Sequence, residues 1–195
     1  MRSNCVAFYE GEIGSRWLQS GIKMGQVSKA AYGWNPAPKR DFSGSAYGVI
    51  YSTQTQPALA PNTPQIITLN TLSGSSGISI DNNRIVIAEP AIYRMSVSVL
   101  IQNADNAEHD FTFWLKFLGN DYPNSAYYDT IPARKSSGSP SFQTLSFDFI
   151  GTSLNPNDYV ELYWKAESIL VSLVNTIGVG VPNAPSVSVN INRVA

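Results

Sequence analysis

Asn157-Asp158-Tyr159-Val160-Glu161-Leu162-Tyr163-Trp164-Lys165 alternates cleanly and carries large side chains on both faces. Val160, Leu162 and Trp164 point one way and Tyr159, Glu161, Tyr163 and Lys165 the other, which is the period of a strand rather than a helix. One face suits a core. The other sets two tyrosines among charges, and that aromatic content suits contact with a partner.

The same period recurs upstream. Tyr93, Met95, Val97, Val99 and Ile101 mark the inward face of a long strand, with Arg94, Ser96 and Ser98 outward. Phe111, Phe113, Leu115 and Phe117 line one side of the next, with Thr112, Trp114 and Lys116 on the other, and Leu145, Phe147 and Phe149 are the inward set of residues 142–150. Further strands are expected over 46–53, 65–70, 169–177 and 186–194. A hairpin joins 78–80 to 84–88 across Asp81-Asn82-Asn83, because Asn and Asp tolerate positive φ. Residues 71–77 read as a polar Ser/Gly turn and 122–140 as a long, poorly patterned connection. With no convincing amphipathic helix, the expectation is an all-β sandwich of about eight to ten strands, for which jelly-roll and immunoglobulin-like arrangements both fit.

The chain of 195 residues, 43% hydrophobic, can bury one sizeable core. Its formal charge of −1 gives no field for nucleic acid or an anionic membrane, so neither is an expected partner. The start carries no apolar run of signal-peptide type, and no segment approaches the roughly 18 apolar residues of a membrane span, so synthesis and folding in a cytoplasm are expected. Cys5 is the single cysteine and permits no intramolecular disulfide.

Residues 1–45 differ from the rest. Six positive charges against three negative leave this arm at +3 and the remainder at −4. Phe8, Tyr9, Trp17, Tyr32 and Trp34 occur in it without a sustained period, more aromatics than a solvated linker needs. They pack back on the chain's own domain or, the favoured reading, dock on another protein with Trp17 and Trp34 as anchors. Asn35-Pro36-Ala37-Pro38 and Ser43-Gly44-Ser45 read as a hinge, and the compact domain as residues 46–195.

Little in the sequence points to catalysis. His109 is the single histidine, has no second or third ligand at a metal-site spacing and no nucleophile-elbow serine to serve, and reads as a surface turn residue. Asp148, Asp158 and Glu161 are the acids nearest aromatics, but Asp158 and Glu161 fall on opposite faces of one strand, unlike a glycosidase pair. No metal and no cofactor are expected.

Four patches resemble the C1q/tumour-necrosis-factor type of jelly roll, in particular its short versions in tailed-phage structural proteins. Residues 84–97, Arg-Ile-Val-Ile-Ala-Glu-Pro-Ala-Ile-Tyr-Arg-Met-Ser-Val, are similar to an apolar strand, a Gly-x-Tyr and an alternating strand, with Ala91 in place of the glycine. Residues 113–125 resemble the family's "WLRKNGxDVPNS" hairpin, residues 154–162 its "L-x-x-GDYVEL" turn with Asn157 for the glycine, and residues 185–191 its closing strand. The resemblance covers roughly residues 46–195.

The resemblance implies a non-enzymatic homotrimer packed through aromatic and apolar faces, to which Trp114, Tyr159 and Tyr163 are assigned. The expected role is a capsid decoration or cement protein on the virion surface. It binds the major capsid protein through the arm residues Phe8, Tyr9, Trp17, Tyr32 and Trp34. The alternative is a tail-fibre or receptor-binding tip that recognises a host-surface glycan, with Asn124, Tyr127 and Tyr128 as contacts.

Overall fold

The computed structural model describes residues 45–194, and all regular structure there is strand. In chain order the first seven are β1 Tyr47–Ser52, β2 Gln56–Pro57, β3 Gln65–Ile66, β4 Thr71–Ser76, β5 Ile78–Asp81, β6 Arg84–Ile87 and β7 Ala91–Asn103. The others are β8 His109–Phe117, β9 Asn120–Asp121, β10 Tyr127–Ile131, β11 Ser141–Ser153, β12 Asp158–Ala166, β13 Val171–Leu173 and β14 Val187–Arg193. The arm aromatics Phe8, Tyr9, Trp17, Tyr32 and Trp34 lie outside the described residues.

Two antiparallel sheets enclose the core. The first runs β4–β1–β14–β7, with β11 beyond β7 and the short β13 and β2 extending it past β14; the second runs β10–β8–β12–β6–β5. Alternation decides what each strand buries. Tyr93, Met95, Val97, Val99 and Ile101 of β7 meet Phe111, Phe113 and Leu115 of β8 and Leu162 and Trp164 of β12 in one apolar cluster. Phe113 is fully buried and stacks on Phe147 at 4.7 Å, with the rings only 4° from parallel. Burying each such ring stabilises the fold by about 1.5–3 kcal/mol.

The turn chemistry follows the sequence at two places. Asn82 and Asn83 both take positive φ (48° and 65°) in the β5–β6 hairpin, and Asn157 does so (φ 67°) before β12. Ala91 simply begins an extended strand, so the glycine of the Gly-x-Tyr pattern is not required there. At Gly48, a Cβ would stand 2.8 Å from Ile78 Cγ2, so the sheets approach too closely at this point for a side chain.

Several local expectations change. Residues 71–77 contain the strand β4, because its backbone pairs with β1 from Thr71↔Tyr51 to Ser76↔Tyr47, and ladder hydrogen bonds do not need apolar side chains. Residues 122–140 contain β10, which pairs with β8. Residues 65–70 keep only β3. Ile67 N still donates to Leu162 O at 2.8 Å, and side chains take the next two backbone donors: Gln56 Oε1 accepts from Thr68 N at 2.7 Å and Asn83 Oδ1 from Leu69 N at 3.1 Å. The strand expected over 169–177 shortens to β13, and that over 142–150 lengthens to β11.

Candidate functional site

The outward face of the second sheet gathers most of the candidate residues. Tyr159, Glu161, Tyr163 and Lys165 of β12 face away from Leu162 and Trp164, which are buried. Register brings β8 alongside: Trp114 opposes Tyr163, Lys116 opposes Glu161 and Thr112 opposes Lys165. On the other flank β6 sets Arg84 against Glu161 and Val86 against Tyr159. Trp114, Tyr159 and Tyr163 therefore share one face and do not cap the core.

The rings of Trp114, Tyr159 and Tyr163 each have a partner in their own chain. The Trp114 and Tyr163 rings lie 5.8 Å apart, and Trp114 Nε1 donates to Asp121 Oδ1 at 2.8 Å. Lys116 Nζ sits 4.4 Å over the Tyr163 ring and 3.7 Å from the same Asp121 oxygen. Arg84 places its guanidinium 4.3 Å over Tyr159 and donates from Nε to Glu161 Oε1 at 3.0 Å. Glu161 is buried in spite of its outward position, and the hydrogen bond to it raises the Arg84 pKa above its ordinary value. The cation–π and ion-pair contacts hold the aromatic rings in fixed orientations.

Beside Trp114 the face opens into a shallow hollow, lined also by Pro64, Asp121, Asn124, Tyr128 and Lys165. Tyr128 opposes Thr112 on β10 and is 77% exposed, the most exposed aromatic among the described residues. Tyr127 takes the opposite face of the same strand. Its ring lies 4.5 Å from Phe147 and 5.6 Å from Phe149. Of the three glycan candidates, Asn124 and Tyr128 are thus brought together with Trp114, and Tyr127 is not.

The acids are separated. Asp148 lies on the first sheet with Arg94 at 3.2 Å and the Ser96 hydroxyl, which donates to it, and both hold its carboxyl below the usual range. Asp158 closes the turn before β12, accepting from Leu154 N at 2.8 Å, Asn155 N at 2.9 Å and Ser153 Oγ at 3.3 Å. His109 is not in a surface turn. It starts β8, with Nε2 2.8 Å from Asp105 Oδ2 and Nδ1 3.5 Å from Glu167 Oε2. Among the described residues no group of three or more His, Cys, Asp or Glu is placed to hold a metal.

Arg84, Lys116, Asp121, Lys165 and Pro64 join the site without having been singled out. Lys116 and Lys165 were legible as outward positions of their strands. Arg84 was not, because its partner Glu161 is 77 residues away and meets it only through sheet pairing. No protein-family model matches the chain, and a search of curated proteins finds no match, so the reading of this face rests on its geometry.

Proposed function

We propose that this chain is a non-enzymatic structural protein of a tailed-phage virion, a jelly-roll homotrimer that decorates the capsid and is attached through residues 1–45. The strand pairing carries the jelly-roll part. A jelly roll is a long eight-stranded hairpin wrapped on itself, so its strands pair first with eighth, second with seventh, third with sixth and fourth with fifth. With β1, β6, β7, β8, β10, β11, β12 and β14 as the principal strands, the pairs β1–β14, β6–β12, β7–β11 and β8–β10 follow that scheme.

Self-association is supported by a free edge. β11 pairs with β7 in unbroken register from Ser141↔Asn103 to Ser153↔Ala91 and, among the described residues, has no strand on its other side. It contains no Lys, Pro or bulge of the kind that guards an open edge, and it exposes Phe142 (52%) and Ile150 (67%). This edge suits contact between copies better than the face of Trp114, Tyr159 and Tyr163, whose rings are already partnered. That face is then left outward.

The arm aromatics supply anchors for the major capsid protein, and three arms per trimer multiply the effective affinity. Deleting residues 1–40 is expected to leave a folded trimer, measured by light scattering, that no longer co-sediments with capsids. Loss of the trimer itself would refute this division of labour. The direct test is cryo-electron microscopy of intact particles. Threefold density over coat subunits supports decoration, whereas threefold density only at a tail or fibre tip makes the chain an adsorption protein.

A further inference from the structure

We propose that the hollow beside Trp114 is a binding site for a neutral saccharide. The proposal rests on the outward placement of this face and adds a ligand to it. Two aromatic rings, Trp114 and Tyr128, stand on adjacent strands with Tyr128 diagonal to Trp114, a spacing of about 7–8 Å between backbone positions. Aromatic platforms of this kind take the apolar face of a flat ligand. The indole is already oriented by Asp121 and Tyr163, so little ordering remains to be done when a ligand arrives.

The polar groups around the rings narrow the ligand class. Asn124, Lys165 and Asp121 line the hollow and between them carry both donors and acceptors. Asn124 is set in the left-handed conformation (φ 59°), which fixes where its side chain starts. Charge is balanced. The lining carries one charge of each sign, Asp121 and Lys165, so neither a polyanion nor a cation is selected by it. The hollow is open rather than enclosed, which does not suit a purely apolar molecule. A ligand with one apolar face and a rim of hydroxyls meets all of these conditions.

The test uses the full chain on an immobilised panel of neutral hexose and N-acetylhexosamine oligosaccharides with their sulfated and sialylated counterparts. Wild type is expected to retain neutral members, with retention unchanged between low and high salt because no net charge is paired. Tyr128→Ala removes a ring that is 77% exposed and carries little of the fold, and it is expected to weaken retention about tenfold. Asn124→Gly keeps the positive φ and is expected to weaken retention through loss of the amide alone. No retention of any neutral saccharide, retention by both variants equal to that of wild type, or preference for the sulfated or sialylated members would overturn the proposal. Light scattering and capsid co-sedimentation of the same variants stay at wild-type values whichever way the panel reads, so failure here is distinguishable from failure of the decoration reading.

Discussion

Ile150→Glu is expected to convert the proposed trimer to monomers without unfolding them. Ile150 is 67% exposed on β11, so the charge costs the isolated subunit almost nothing. In a contact between copies along the β11 edge, the same carboxylate would be desolvated without a partner, a loss of about 2 kcal/mol or more per contact, as for a binding hot spot. Sedimentation velocity across a concentration series measures it, with circular dichroism as the check on folding. Tyr163→Glu is the matched comparison. If Tyr163→Glu dissociates the trimer and Ile150→Glu does not, copies meet through the Trp114, Tyr159 and Tyr163 face and the edge assignment fails.

Asp158→Ala is expected to destabilise the fold by about 2–4 kcal/mol, because it strands the Leu154 and Asn155 amides in a turn whose carboxylate is buried. Urea unfolding at neutral pH measures it. Asp158→Asn keeps one acceptor oxygen and should cost less. The same site sets an acid dependence. Hydrogen bonds from Asn155 N, Leu154 N and Ser153 hold the Asp158 pKa below its ordinary value, against burial, which pushes it up. A group whose folded pKa is depressed contributes stability above the unfolded carboxylate value of about 3.9 and loses it as pH falls through the folded value. Wild type should therefore lose stability more steeply than Asp158→Asn as pH is lowered below about 4. Equal slopes would mean that the carboxylate charge has no role in the turn.

This turn was legible as a turn but not as an acceptor site. Asn155-Pro156-Asn157-Asp158 announces a reversal by composition, yet which donors converge on Asp158 depends on how the end of β11 meets the start of β12. The hollow was less legible still. Trp114, Asn124, Tyr128 and Lys165 stood out on separate grounds or not at all, and only the pairing of β8 with β10 and β12 puts them around one depression. Tyr127 and Tyr128 looked equivalent in sequence. A strand sends neighbours to opposite faces, so one packs on Phe147 while the other meets solvent.

By itself the sequence determined whatever is local and periodic. The period of two fixed the faces of β7, β8, β11 and β12, and Asn at positions 82, 83 and 157 fixed turns that need a left-handed residue. What only the tertiary structure decided is everything that rests on pairing between distant strands. The strand character of Thr71–Ser76, the Arg84–Glu161 ion pair under Tyr159, the edge position of β11 among the described residues and the hollow beside Trp114 are of this kind. Backbone hydrogen bonding is indifferent to side-chain identity, so a chain can state which face of a strand is apolar without stating which strand will lie beside it.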